Sequence, residues 1–271
     1  MAIVSAFLLP GSPLPEVQRD NPPWGALADA MDIAGGALAK SNPDTIAIYS
    51  TQWLAVLDQL WQTRPHVKGL HVDENWHEYG ELVFDMHTDI KLTEAIIEST
   101  PDVGIRSKGV DYDAFPVDTG TIVASNFLNP HGDYPTVVTS NNLYHDWVMT
   151  ESLGRCVREQ AEKLNRRVAV VGVGGLSGSI FRHSIDIKDD KIASEEEDEW
   201  NRRILALIES GDVEGLVEVV PEFAGNARAD MGFKHMAFLL GAMGGHFKGA
   251  TVHGYGPLYG SGGAVIEFDV D

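Results

Sequence analysis

The sequence predicts a single α/β domain over residues 1–271, with a mixed central β-sheet and helices on both faces. Short apolar runs of strand length alternate with longer segments of helical apolar spacing along most of the chain. No linker or internal repeat divides these 271 residues, and the 44% that are hydrophobic suffice for one large core. The last two predicted strands are too close in sequence for a helical crossover, so part of the sheet is expected to be antiparallel.

The N-terminal half is predicted from its apolar runs and the residues that end them. Residues 2–9 form a continuous apolar run that stops at Pro10-Gly11, which is typical of a buried strand. Residues 24–40 carry apolar side chains at helical spacing, although Gly35-Gly36 weakens the pattern. The same reasoning predicts strands at 44–50, 67–72 and 103–106 and a helix at 91–99 that stops before Pro101.

The C-terminal half shows the clearest single strand, at 167–173, where a buried run leads into Gly174-Gly175. A helix is predicted at 194–210, because Ser194 can serve as its N-cap and acidic residues fill its first turn. The other predicted elements are strands at 121–126, 135–140, 250–252 and 264–268, helices at 146–164 and 233–244, a turn at 129–135 and a glycine-rich link at 254–263.

Composition excludes several function classes. A net charge of −20 and a pI near 4.7 leave no basic footprint for nucleic acid. No apolar run approaches the roughly 20 residues of a membrane span, and the N-terminus lacks the features of a signal peptide. Cys156 is the only cysteine, so the chain forms no internal disulfide, which suits a reducing cytoplasm. Its position in a helical apolar pattern predicts a buried thiol.

Four loops follow or precede apolar runs at places where open α/β sheets bind ligands. They read Pro10-Gly11-Ser12-Pro13, Ser50-Thr51-Gln52-Trp53, Asp118-Thr119-Gly120-Thr121 and Gly174-Gly175-Leu176-Ser177-Gly178. None of them contains a histidine. The chain therefore has the frame of a metal-dependent enzyme without the side chains that would hold a metal or move a proton.

The other motifs give little evidence of function. The glycine-rich loop at 172–178 is not followed by a helical pattern, so a dinucleotide-binding turn is not indicated. Ten histidines are present, but no pair has the spacing of a zinc-binding HExxH helix. His131, in the turn Asn129-Pro130-His131-Gly132-Asp133, is the histidine expected nearest a pocket mouth.

The four loops, in this order, resemble the class III extradiol ring-cleaving dioxygenases over nearly the whole chain. That family has a Pro-His turn, a Ser-x-His-Trp strand end, an Asp-His-Gly-Thr turn and a Gly-Gly-Leu-Ser-His loop. Two of its histidines and a glutamate on a late helix hold iron and leave open positions for dioxygen and substrate. The resemblance implies the fold of the family's catalytic subunits and a role in opening aromatic rings.

The sequence departs from that catalytic pattern at each histidine. Gly11 and Gln52 stand where the two iron ligands would be, and Thr119 and Gly178 replace the pocket and acid/base histidines. The glutamate has no clear counterpart, although Asp230 lies in the segment expected to hold it. Glycine offers no donor and an amide is a poor ligand for ferrous iron, so this chain is expected to hold no metal and to have no catalytic residues.

The family's two-subunit members, one of which cleaves 2-aminophenol, pair an iron-bearing chain with a homologous one, and this sequence resembles the latter. The resemblance therefore implies a cytoplasmic, non-catalytic α subunit that supports a homologous catalytic β subunit carrying Fe(II), in an α2β2 assembly. Two alternatives stay open. The chain could be an independent hydrolase or isomerase with a repurposed pocket that uses His131 or Asp230. It could also be a binding or scaffold protein on the same fold.

Overall fold

The computed structural model describes residues 2–270, which build one large sheet, a separate hairpin and the helices around them. The strands are β1 (Ile3–Leu9), β2 (Thr45–Ala55), β3 (Gln59–Gln62), β4 (His66–His71), β5 (Leu82–His87), β6 (Ser107–Val110), β7 (Thr136–Asn142), β8 (Val168–Val173), β9 (Ala250–Leu258) and β10 (Ser261–Phe268). The α-helices are α1 (Leu14–Val17), α2 (Pro22–Ser41), α3 (Ile90–Ser99), α4 (Thr119–Leu128), α5 (Trp147–Lys163), α6 (Glu195–Glu209), α7 (Val213–Asn226) and α8 (Lys234–Ala242).

The large sheet has eight strands in the order β6-β3-β7-β2-β8-β1-β10-β9. Its centre is parallel, because β2 pairs in parallel with both β7 and β8, and β8 pairs in parallel with β1. The edges are mixed: β10 runs antiparallel to β1 and β9, and β3 runs antiparallel to β7. The predicted mixed α/β sheet is therefore confirmed.

Apolar residues on both faces of the sheet build two separate cores. Along β1, Ala6 and Leu8 face one core while Phe7 and Leu9 face the other, as the two-residue period of a strand requires. The first core is covered by α3, α5, α6, α7 and α8, and the second by α2, α4 and the β4–β5 hairpin. The central strands are buried on both sides, which explains why their sequences are continuous apolar runs.

The strand predicted at 121–126 is wrong, because these residues lie inside helix α4. The Asp118 side chain caps this helix by accepting a hydrogen bond from the backbone N–H of Thr121 at 3.0 Å. Nine of the ten helical residues are buried, so the apolar run that suggested a strand reflects burial on all sides of the helix. Helix α4 thus begins near the carboxyl ends of the central strands, and its first turn reaches the candidate site.

Two smaller predictions are also wrong. Residues 103–106 are no strand: a 3₁₀ turn at Thr100–Val103 ends at Gly104, whose φ is +77°, and strand β6 begins only at Ser107. The glycine-rich segment 254–263 is not a link but part of the β9–β10 hairpin. Its glycines allow close packing, since a Cβ on Gly254 would lie 2.7 Å from the Cβ of Ala30 in α2.

The other predicted elements are found within a few residues of the expected bounds. The predicted cap of α6 is confirmed, because the Ser194 hydroxyl accepts from the backbone N–H of Glu197 at 3.3 Å. Over residues 2–270, none of the helices has the length and apolar character needed to cross a membrane.

Candidate functional site

The four sequence segments expected to be loops come together in a cleft at the carboxyl ends of the central strands. Two of them are not loops: residues 50–53 lie inside β2, which continues to Ala55, and residues 119–121 form the first turn of α4. A cavity of about 1030 Å³ opens beside a smaller one of about 360 Å³, and several residues line both. Gln52 and Asp230 are shared by the two cavities, Thr119 lines the larger, and Gly11 and Gly178 line the smaller. The strand ends therefore bring five of the six predicted site residues into one cleft, as expected for an α/β sheet.

Gly11 and Gln52, predicted to replace two metal-binding histidines, bind one another. The side-chain amide Nε2 of Gln52 donates to the backbone carbonyl of Gly11 at 3.1 Å. A Cβ at position 11 would lie 2.9 Å from that Nε2 atom and 3.2 Å from the Cα of Gly120. The glutamine thus occupies the space next to Gly11, and a larger residue at position 11 would have to displace it.

Gly178 has no room for a side chain. A Cβ at this position would lie 2.4 Å from the backbone carbonyl oxygen of Arg228. The two segments are held together by a hydrogen bond from the N–H of Gly178 to the carbonyl of Ala227 at 3.0 Å. A histidine at position 178 would therefore require the backbone at 227–228 to move.

Thr119 is held by two side chains from the end of the β4–β5 hairpin. Its hydroxyl donates to an oxygen of Asp73 at 3.0 Å and lies 2.7 Å from Nε2 of His71. Because the hydroxyl has a single proton, the imidazole N–H of His71 donates to it when Asp73 accepts. Sequence analysis did not single out His71, which is the imidazole that lines the larger cavity.

Asp230 is the carboxylate that the structure places in the cleft from the late-helix segment. Its Oδ2 accepts from the Thr51 hydroxyl at 2.7 Å and from the backbone N–H of Gly175 at 2.9 Å. The three residues after it all have positive φ: +46° at Met231, +69° at Gly232 and +63° at Phe233. This left-handed turn is costly for the two non-glycine residues and fixes the entry into α8 behind Asp230.

Lys234 and His235, which follow that turn, do not line either cavity. The ammonium of Lys234 donates to the backbone carbonyls of Asn142 at 2.7 Å and His145 at 3.2 Å, and burial lowers its pKa. The imidazole of His235 is fully buried and neither ring nitrogen has a partner. Burial lowers its pKa to about 4, against the opposing charge of Asp230, so the ring is neutral at pH 7.

The larger cavity combines carboxylates with aromatic rings. Its lining includes the acidic residues Asp73, Glu74, Glu78, Asp118 and Asp230 and the aromatic residues Trp53, Trp76, Phe115 and Tyr259. Within the described chain, no lysine or arginine lines it. Such a cavity disfavours anions and suits a neutral or cationic aromatic molecule, since ring faces attract cations.

The residues of the cleft do not fit ferrous iron. Gly11 has no donor atom, the amide of Gln52 is a weak ligand, and the Asp230 carboxylate already accepts two hydrogen bonds. Among residues 2–270, no three His, Cys, Asp or Glu side chains converge in the cleft within metal-binding distance. A facial set of two imidazoles and one carboxylate therefore cannot form there from the groups in place.

One predicted site residue, His131, lies outside the cleft. His131 is exposed in the turn beyond the C-terminal end of α4, whereas the cleft faces the N-terminal end, and it does not line either cavity. The structure therefore does not pair it with Asp230. Cys156 is buried in α5, as predicted, and burial raises the pKa of its thiol.

Comparison with known proteins agrees with this α/β fold. Residues 9–268 match the family described as "Catalytic LigB subunit of aromatic ring-opening dioxygenase". The chain therefore belongs to the LigB family of aromatic ring-opening dioxygenases.

Individual proteins within and beyond this family are also similar to the chain. The chain is 51% identical over 271 residues to a 2-aminophenol 1,6-dioxygenase alpha subunit from Pseudomonas sp, covering 100% of both chains. It is 26% identical over 289 residues to the beta subunit of 2-aminophenol 1,6-dioxygenase from Pseudomonas sp, covering 99% of this chain and 94% of that one. A crystal structure of an uncharacterized protein from Escherichia coli K12 shares the fold, with a TM-score of 0.67, 14% identity and coverage of 97% and 99%.

Proposed function

We propose that this chain is the non-catalytic, iron-free subunit of a heteromeric 2-aminophenol 1,6-dioxygenase. It supports a homologous subunit that binds Fe(II) and opens the aminophenol ring with dioxygen. The family and the full-length similarity to a 2-aminophenol 1,6-dioxygenase alpha subunit support membership of such a complex. The similarity to a beta subunit supports a homologous partner.

The hydrogen bond between Gln52 and Gly11 is the observation that carries the iron-free part of the proposal. It fills the place where the family resemblance puts two imidazoles, with groups that do not hold ferrous iron. The blocked side-chain position at Gly178 adds that no acid/base imidazole can occupy the fourth loop without movement of the backbone. The chain therefore keeps the family's cleft without its chemistry.

An exposed apolar patch at the ends of β2 and β7 gives the partner a surface to cover. Leu57 is 79% exposed and Tyr144 is 78% exposed, and Leu54, Val56 and Leu143 beside them are 48%, 52% and 46% exposed. The two strand ends are joined by the N–H of Leu143, which donates to the carbonyl of Ala55 at 2.9 Å. Contiguous exposed side chains of this kind mark protein interfaces. We place the partner subunit on this patch, in a cytoplasmic α2β2 assembly.

Co-expression tests the subunit role. The iron-bearing partner is produced alone, with this chain, and with a Leu57→Asp/Tyr144→Asp variant, and soluble yield and 2-aminophenol consumption are measured. We expect high yield and activity only with the unmodified chain. An Ile33→Asp variant is the matched control, since Ile33 is an exposed apolar residue on α2, outside the patch. Equal yield and activity from the partner alone would overturn the proposal.

The larger cavity favours a second role, the binding of a small aromatic amine without turnover. Its volume of about 1030 Å³ is ample for a single ring, and its acidic and aromatic lining matches a cationic or neutral amine. Calorimetric titrations with benzylamine, a cation, and with benzoate, an anion, test whether the cavity selects its ligand by charge. We expect heat of binding from the amine only, and loss of that heat in a Trp76→Ala variant. Equal binding of benzoate would contradict this assignment.

A further inference from the structure

A cluster of two imidazoles and a carboxylate lies on the exposed face of the β4–β5 hairpin. In this antiparallel pair, His66 lies opposite His87 and Lys68 lies opposite Asp85. Side chains two residues apart on a strand share a face, so His66, Asp85 and His87 all project from the same side. All three are exposed.

The three donor groups are already close. Nε2 of His66 lies 2.6 Å from Oδ1 of Asp85, and the rings of His66 and His87 stack with centroids 4.2 Å apart and an angle of 12° between their planes. One donor atom from each of the three residues lies within 4.8 Å of the others. A single metal ion placed between the three residues would therefore be within reach of all three donor atoms.

We propose that His66, Asp85 and His87 bind a divalent transition-metal ion of the zinc, nickel or copper class. Imidazole nitrogen suits these ions, whereas Ca²⁺ and Mg²⁺ prefer sites made of oxygen ligands. Three protein ligands leave further coordination positions to water. The site rests on this chain's hairpin alone and is independent of the role proposed for the cleft.

The site lies at the base of the hairpin, at the end away from the cleft. Next to it, the backbone N–H of Thr88 donates to the carbonyl of Pro65 at 3.0 Å, and the Thr88 hydroxyl donates to the carbonyl of Arg64 at 2.7 Å. A two-stranded hairpin is marginally stable by itself. A metal that joins His66 to His87 across the strands therefore stabilises the hairpin, because it binds the folded chain and not the unfolded one.

Lys68 gives the proposal an internal check. Its ammonium group projects from the same face, opposite Asp85, and repels a bound cation. A Lys68→Gln variant is expected to bind metal more tightly, whereas His66→Ala and His87→Ala are each expected to weaken binding by about tenfold or more. His246→Ala is the matched control, because His246 is an exposed histidine in the loop between α8 and β9, outside the hairpin.

Calorimetric titration of ZnCl₂ into the untagged, metal-stripped full-length chain, with melting temperature as a second readout, tests the site. We expect one zinc ion per chain and a rise in melting temperature, both lost in His66→Ala and His87→Ala and kept in His246→Ala. Circular dichroism of each variant confirms that it is folded. Absence of zinc binding, or binding that survives both hairpin substitutions, would overturn the proposal, whatever the co-expression experiment shows.

Discussion

The strand-end cleft and the exposed face of the β4–β5 hairpin differ in the donor atoms that they bring together. The cleft lies where the family fold is expected to hold iron, but Gly11 and Gln52 supply a carbonyl and an amide that bind each other. The hairpin lies outside that cleft, yet His66, Asp85 and His87 place two imidazoles and a carboxylate within 4.8 Å. Metal binding thus follows from the type and spacing of side chains and not from the fold that carries them.

The largest effect on the free energy of unfolding is expected at Gly178, where the cleft has no room for a side chain. Gly178→Ala should lower the free energy of unfolding by about 1–3 kcal/mol, because a Cβ there meets the carbonyl oxygen of Arg228 at 2.4 Å. Gly36→Ala is the control: Gly36 lies in α2 with no atom within 4 Å of the added Cβ, so alanine should stabilise the helix by up to about 1 kcal/mol. Urea unfolding of both variants checks the contrast, which fails if the two substitutions have equal effects.

Removing the cleft carboxylate should lower the free energy of unfolding by a similar amount. Asp230→Ala leaves the buried Thr51 hydroxyl and the N–H of Gly175 without their acceptor, at a cost of about 1–3 kcal/mol in unfolding free energy. Asp230→Asn keeps one acceptor oxygen and should cost less. Chemical denaturation gives both values, and an alanine variant as stable as the parent would show that the two hydrogen bonds contribute nothing.

The buried imidazole next to Asp230 predicts a pH effect. Its pKa is lowered by burial from 6.5 to about 4, so below pH 6.5 the unfolded chain takes up a proton that folded His235 does not. The stability from neutral His235 is fully present above pH 6.5 and falls as the pH drops to about 4. His235→Leu should reduce the loss of stability between pH 7 and pH 5, whereas His131→Leu should not. Unfolding curves with unchanged pH dependence in His235→Leu would refute this.

The smallest effect is expected at the contact between cleft and hairpin. Thr119→Val removes the hydroxyl that bonds His71 and Asp73, and should lower the unfolding free energy by about 1 kcal/mol. Thr119→Ser keeps the hydroxyl and should restore most of the loss. Melting temperatures of the two variants measure the difference, and a valine variant no less stable than the serine one would exclude a role for these bonds.

Continuous apolar runs made the central strands predictable, since β1, β2 and β8 are buried on both sides. Sequence reasoning failed where local pattern and tertiary position disagree. The run at 121–126 reads as a strand, but the Asp118 cap and burial on all sides make it a helix. Sequence analysis did not predict three elements: the pairing of β4 with β5, strand β3 and helix α7. Pro221 interrupts the helical pattern of α7.

In the candidate site, too, local sequence pattern predicted some residues and missed others whose position depends on tertiary structure. Motifs near strand ends predicted Gly11, Gln52, Thr119 and Gly178, and the family resemblance added Asp230. All five lie in one cleft, because strand direction fixes where the carboxyl ends of parallel strands meet. His131 was misplaced, since the sequence does not show that its turn follows the far end of a helix. The pairing of His66 with His87 depends on strand register across 21 positions, and the unpartnered burial of His235 depends on packing, so neither is visible in the sequence.

Iron content of the purified chain tests the central claim most directly. The measurement uses a His66→Ala/His87→Ala variant, so that metal on the hairpin does not contribute, and compares the chain alone with its complex with the iron-bearing partner. The account predicts far less than one iron per chain in the isolated protein and one iron per pair of subunits in an active complex. One iron bound per isolated chain, together with ring cleavage of 2-aminophenol by that chain, would contradict it.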